Sequence, residues 1–354
     1  MGEKEKKYIL WYDEMEGADY PIVGKKNSNL GEMIKAGIPV SHGFAVTIYA
    51  NDQFLILSGI KADIEKQIVS LGQVTYETAK KASAIAMELI EKATMPSAME
   101  DEILNNYKQL CDKSCISACP VAVRSSGAAS MPGQMETYLN IFGEKDLIDY
   151  IKKCWASAYN TEAIMYRMNK GMPFLFNIGV GIPKMVNSRV SGIIFTINPI
   201  NGDPSKISID ASYGLGEAVV SGLVTPDTYL IDKITFDLVK TIIGSKETQC
   251  VYRDQGSDIV QKDVPEEKRG VMCLSVTEIK ELARIGKLIE NYYGQEYDIE
   301  FGIDADFPFP ENIIILQVRP ESVWSKKEVA AKTEKKKDPM ERILGQLLTG
   351  VKIK

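Results

Sequence analysis

Tyr297-Asp298-Ile299-Glu300-Phe301 and Asn312-Ile313-Ile314-Ile315-Leu316-Gln317-Val318-Arg319 are the stretches whose reading decides the fold. A loop bearing proline and glycine separates them, so they predict a β-hairpin. Strand side chains alternate between faces, which puts Asp298 and Glu300 on one face, and Gln317 and Arg319 together on one face of the partner strand. If the two faces coincide, carboxylate and amide oxygens can hold Mg²⁺ while the arginine fork meets phosphate oxygens, as phosphoryl transfer requires. An edge hairpin with cross-strand ion pairs would use the same residues.

A second constellation lies upstream. Val121-Ala122-Val123 predicts a brief strand leading into Arg124-Ser125-Ser126-Gly127-Ala128-Ala129-Ser130-Met131-Pro132-Gly133, and Glu136-Thr137-Tyr138-Leu139-Asn140-Ile141 resumes extended character. Small residues let backbone donors approach an anion closely, and the arginine at the strand exit fixes a cation beside them. A surface loop needing only flexibility would not require that arginine. From Gly24 to Ala36, Leu30, Met33 and Ile34 keep helical spacing and Gly37 ends the run, so a loop carrying Lys25 and Lys26 feeds a short helix. Further helices are predicted over residues 61–110 with a break at Pro96, over 145–170 and over 277–293. Strands at 192–197 and 206–210 flank a turn of Asn201, Gly202, Asp203 and Pro204.

The chain has 354 residues, 45% hydrophobic and 25% charged, which are globular proportions. Lysine and arginine number 42 against 48 aspartates and glutamates, net −6, and the basic residues are dispersed, so nucleic acid is not an expected partner. No apolar run approaches the ~20 residues of a membrane span and the start is charged, so the expectation is a cytoplasmic protein with no membrane partner. Six cysteines without a secretion signal read as reduced, buried thiols. Cys111, Cys115 and Cys119 stand four apart, but Pro120 follows at once and no fourth metal ligand is evident. The single histidine, His42, reads as a turn residue before the strand Phe44-Ala45-Val46-Thr47, which leaves zinc sites and histidine triads without support. Neither the Walker A nor the dinucleotide glycine pattern occurs, which excludes P-loop NTPases and Rossmann oxidoreductases.

Taken together, these residues resemble the amino-terminal nucleotide-binding domain of phosphoenolpyruvate synthase and pyruvate phosphate dikinase, an α/β (α+β) ATP-grasp fold shared with rifampicin phosphotransferase. The resemblance runs from about residue 20 to 325, a length that suits a multi-lobed domain. It rests on Gly24-Lys25-Lys26-Asn27 through Gly31-Glu32-Met33, Val123-Arg124-Ser125-Ser126 through Met131-Pro132-Gly133, Ser191-Gly192-Ile193-Ile194-Phe195-Thr196, Ala211-Ser212-Tyr213-Gly214-Leu215-Gly216-Glu217, and the hairpin. It implies two lobes with ATP and Mg²⁺ between them. The family's phosphate-binding lysine falls on Lys26 and its catalytic arginine on Arg124. Its loop glycine and nucleotide-contacting threonine fall on Gly133 and Thr137. The metal-binding acid and amide fall on Glu300 and Gln317, with Asp298 beside them, and Arg319 takes the final phosphate-binding role. The adenine-side segment falls on Met185 and Val186, but Pro183 replaces the usual glutamine and removes its amide contact.

The resemblance assigns residues 1–190 to an N-terminal lobe, 191–325 to a C-terminal lobe and 326–354 to a linker and docking tail. Family members that finish a reaction in one chain also carry a phosphohistidine domain, which nothing up to Lys354 matches, and His42 sits where the family tolerates proline. The expectation is therefore the ATP-binding subunit of a split dikinase that converts ATP to AMP and phosphate. It would act through a phosphohistidine-bearing partner subunit that binds a small-molecule acceptor, in the manner of the phenylphosphate synthase beta subunit and phenol. A self-contained kinase or ligase and a non-catalytic ATP sensor are the rival readings. In the tail, Met340, Ile343, Leu344, Leu347 and Leu348 recur at helical spacing behind Asp338-Pro339, which predicts an amphipathic helix that docks the partner.

Overall fold

The computed structural model describes residues 3–70, 75–128, 135–252 and 259–324; Gly133 and the tail lie outside them. Strands β1 (Ile9–Trp11), β2 (Gly43–Val46), β3 (Val121–Ser126), β4 (Thr137–Ile141) and β5 (Gly179–Pro183) build one sheet in the order β1-β2-β5-β3-β4. Strands β6 (Ser188–Phe195), β7 (Lys206–Tyr213), β8 (Asp227–Asp232) and β9 (Leu238–Ile242) belong to a second sheet. After the separate hairpin of β10 (Thr248–Tyr252) and β11 (Ile259–Asp263), β12 (Tyr297–Asp304) and β13 (Ile313–Pro320) complete it, in the order β13-β12-β6-β7-β8-β9. Neighbouring strands within each sheet are antiparallel.

The helices form where apolar periodicity and capping agree. In Tyr76–Lys92 the buried line Ala79, Ala82, Ala86 and Ile90 recurs at steps of three and four, and the Thr75 side chain accepts the Thr78 amide. In Val276–Tyr293, Ser275 and Glu278 cap each other's backbone, and Gly294 closes the last turn in the left-handed conformation. The expected helix over 145–170 is two, Glu144–Ser157 and Thr161–Asn169, because the Asn160 side chain takes the Ala163 amide and starts a new helix. The cysteine expectation also needs correction. Five thiols are buried, but Cys115 is exposed at φ 55° beyond the helix Ser97–Lys113, so the three spaced cysteines do not share a helical face.

Two cores result. The first joins Phe44, Val46, Phe54, Trp155 and Val180 beneath the five-stranded sheet. The second packs Ile194, Ile209, Tyr229, Ile299 and Phe301 against Ile279, Leu282 and Ile289 of the long helix. Leu30 and Met33, from the helix Lys25–Lys35, belong to the second core although they precede most of the first. Pro39 to Ser41 then runs beside β13, where the Ile315 amide donates to the Pro39 carbonyl at 2.8 Å. The N-terminal segment thereby ties the two sheets together.

Candidate functional site

The hairpin brings its four polar residues onto one face. Asp298 stands directly opposite Arg319, and Glu300 opposite Gln317. Gln317 Nε2 donates to Glu300 Oε1 at 3.2 Å, and Arg319 Nε donates to Asp298 Oδ2 at 3.2 Å. Burial raises the Asp298 carboxyl above its ordinary value, and the Arg319 cation opposes that rise. Between Gln317 and Ile315, whose partners Glu300 and Phe301 are consecutive, Leu316 is an extra residue and forms a β-bulge. The bulge inverts the alternation of β13: Ile313 and Ile315 are buried in the core, whereas Gln317 and Arg319, two and four residues on, are not.

Arg124 reaches this hairpin from the other sheet. On β3 it is flanked by Thr137 of β4 and Gly181 of β5. Its Nη1 donates to the Leu316 carbonyl at 3.1 Å, its Nη2 to Gln317 Oε1 at 3.4 Å, and Glu300 Oε2 lies 3.7 Å from Nη2. The buried Nε has no partner among the described residues.

Lys26 stands in the first turn of the helix Lys25–Lys35. Its position follows from Gly24, at φ 81°, where any side chain would collide with the Ser126 backbone, and from the Asn27 amide, which donates to Ser126 Oγ at 3.3 Å. The Lys25 amide donates to the Gly127 carbonyl at 3.0 Å. The helix start is therefore fixed to the exit of the Arg124 strand. Lys26 is exposed at its surface, yet the protein around it excludes part of its water: this desolvation lowers its pKa, the Arg124 cation lowers it further, and Glu300 raises it.

Between the sheets lies a cleft of about 340 Å³. Arg124, Thr137, Met185, Val186 and Glu300 line it, whereas Lys26, Asp298, Gln317 and Arg319 stand outside that lining. Pro183, the departure from the family pattern, also faces the cleft. The crossing segment is anchored by its backbone: the Lys184 amide donates to His42 O at 2.8 Å, the Met185 amide to Pro120 O at 2.8 Å, and Ser41 Oγ to Lys184 O at 2.7 Å. His42 is exposed in the turn before β2. Sequence reasoning gave no role to Lys184, Ser41 or Glu217, which the cleft also includes. The motif from Ala211 to Glu217 contained the signal for the last of these.

Among the described residues no group of three or more His, Cys, Asp or Glu converges on a metal position, and no helix is long and apolar enough to cross a membrane. The family model for the pyruvate phosphate dikinase AMP/ATP-binding domain matches residues 20–340. A probable phosphoenolpyruvate synthase of Staphylothermus marinus is 39% identical over 94% of the chain and 43% of its own length. The phosphoenolpyruvate synthase of Aeropyrum pernix is 36% identical over 93% of the chain and 44% of its own length, and a probable one of Methanocaldococcus jannaschii 37% over 93% and 28%. The chain spans less than half the length of these relatives.

Proposed function

Because the chain belongs to the family of the pyruvate phosphate dikinase AMP/ATP-binding domain and has an ATP-grasp fold with two sheet-bearing lobes, we propose that it binds ATP and Mg²⁺ between the sheets and phosphorylates a histidine on a partner subunit or domain. The observation that carries this reading is the meeting of Arg124, from one sheet, with Glu300 and Gln317, paired on the other. Glu300 and Gln317 fit the metal, since one carboxylate and one amide oxygen are hard donors that phosphate oxygens and water would complete. Gln317 would hold the ion through the side-chain oxygen that here accepts from Arg124. The ion supplies charge neutralisation and orientation to the transferring group.

The chain's own residues supply the rest. Lys26, Arg124 and Arg319 surround the phosphates with cations that stabilise the charge spread over equatorial oxygens as the phosphoryl group departs. Asp298 orients Arg319 through its ion pair. Thr137, Met185 and Val186 hold the nucleotide side of the cleft, and the family's loop glycine falls on Gly133. The acceptor histidine belongs to a phosphohistidine-bearing partner in the cytoplasm, and the overall reaction yields AMP and phosphate. The final acceptor is a small molecule bound by that partner: phenol, as in phenylphosphate synthase, or the precursor of phosphoenolpyruvate that the relatives' names imply.

The test incubates the chain with labelled ATP and Mg²⁺, alone and with a phosphohistidine-bearing protein of the family. Label should pass to the partner's histidine, with Arg124 required. Turnover by the chain alone with phenol or pyruvate would favour a self-contained kinase, and binding without any transfer would favour a sensor.

A further inference from the structure

The row that pairs Gln317 with Glu300 continues across the sheet. Glu300 stands opposite Ile193, Ile193 opposite Asp210, and Asp210 opposite Thr228. Directly opposed residues of antiparallel strands point to the same face, so Asp210 shares the face of Glu300 with one isoleucine between them. The neighbouring row runs from Asp298 through Phe195 and Ser208 to Leu230. Ile193, Phe195, Asp210, Thr228 and Leu230 are all half-buried, whereas Ile194, Ile209, Tyr229 and Ile299 on the other face are sealed into the core. The result is a floor of Ile193 and Phe195, with Ser208 buried beside them, and a carboxylate on either side.

Strands lie about 4.8 Å apart, so β7 stands roughly 10 Å from β12, room for a transferring phosphoryl group and the ring that attacks it. Asp210 is held in place by Thr228, whose hydroxyl donates to Oδ1 at 2.7 Å; its Oδ2 has no hydrogen-bond partner among the described residues. Burial raises its pKa above the ordinary aspartate value, with Thr228 opposing, which makes the carboxylate a better proton acceptor.

We propose that Asp210 is the acceptor-side positioning residue: its Oδ2 receives the N–H of an incoming imidazole whose ring lies over Ile193 and Phe195. This rests on the phosphotransfer reading above and names how the acceptor is held. The unprotonated ring nitrogen attacks phosphorus, the N–P bond forms, and the P–O bond to the departing nucleotide breaks with its electron pair. The proton on the other ring nitrogen is shared with Asp210, which stabilises the phosphoimidazolium. Such pairing fixes the tautomer and ring orientation as well as the basicity of the attacking nitrogen.

The test uses the full chain with ATP and Mg²⁺ and two probe acceptors, imidazole and 1-methylimidazole; the second keeps a nucleophilic nitrogen but has no N–H. The phosphorylated ring is read by phosphorus NMR, with ATP affinity and the Mg²⁺ midpoint measured beside it. Wild type should prefer imidazole by about tenfold or more, the worth of a hydrogen bond to a charged group. Asp210→Leu should lose that preference and raise the imidazole KM while ATP affinity and the Mg²⁺ midpoint stay put, and Asp210→Glu should restore part of it. The proposal is overturned if wild type treats both probes alike, if it forms no phosphorylated imidazole, if Asp210→Leu keeps the preference, or if that variant shifts the Mg²⁺ midpoint, which would make Asp210 a metal ligand. Failure to bind ATP at all would instead overturn the phosphotransfer reading itself.

Discussion

Arg124 and Arg319, the two arginines proposed to meet phosphate, differ in setting: the first is a half-buried bridge between sheets, the second a largely exposed partner of Asp298. Replacing either with alanine should lower phosphoryl transfer by about 10³-fold, the scale of arginines that stabilise a transferring phosphoryl group, with a smaller loss of ATP affinity. Near-wild-type turnover in single-turnover assays would remove that arginine from the chemistry. Glu300→Gln should move the Mg²⁺ midpoint of ATP binding upward, since a hard cation prefers anionic oxygen, and an unchanged titration would exclude Glu300 as ligand. Lys26 gives a pH signature. Its pKa is lowered, chiefly by incomplete hydration, so as pH rises it loses its proton earlier than an ordinary lysine and ATP affinity falls with it. Lys26→Arg keeps the charge and should abolish that alkaline limb, as followed by calorimetric ATP binding across pH. As candidates these residues were legible in the sequence, because the hairpin alternates and the arginine follows a predicted strand. Their meeting was not, since Arg124 and Leu316 are separated by 192 positions and nothing local encodes their contact.

Among elements, the helix Lys25–Lys35 is the one on which the site depends most, because its first turn is bound to the Arg124 strand and its apolar face to the second core. Gly24→Ala should destabilise the protein by roughly 1–3 kcal/mol, the scale for a residue forced into a glycine-only conformation. It should also weaken ATP binding by displacing Lys26; an unchanged Tm and Kd would show that Gly24 is not the pin. Sequence periodicity revealed the existence of this helix and its glycine stop, and likewise the helices interrupted at Pro96. It could not reveal that Leu30 and Met33 cross to the second core, or that Asn160 divides 145–170, because side-chain capping competes with periodicity there. It also missed the clasp beneath β8, where fully buried Lys246 pairs with Asp227, donates to the Gly244 and Arg269 carbonyls, and sits at φ 42°. A lone lysine in a loop reads as surface until tertiary structure closes around it.

At the scale of the molecule, two cores joined by the N-terminal segment make nucleotide binding a test of their coupling. A ligand that binds only the folded state, at a concentration a hundredfold above its Kd, stabilises by about 2.7 kcal/mol. Saturating ATP with Mg²⁺ should therefore raise the Tm of the whole chain in a single transition, and Glu300→Gln should blunt the rise. Separate transitions, only one of them responsive, would show that the sheets do not share the ligand. Tyr293 contributes to that joint: its hydroxyl donates to Glu32 Oε2 at 3.0 Å, linking the long helix of the second core to the Lys26 helix.

The extra residue at Leu316 acts as a half-period phase slip in a two-beat pattern. Before it, odd-numbered residues of the strand face the core; after it, odd-numbered residues face away from the core. A single segment can thus encode oil and chemistry at positions of the same parity. Point substitutions leave the phase intact, but loss of one residue resets it. Removing Leu316 alone would erase the bulge: Ile315 and Gln317 would become neighbours on a regularly alternating strand, with Ile313 and Ile315 still facing the core and Gln317 and Arg319 still facing away from it, and the carbonyl that accepts from Arg124 would be lost.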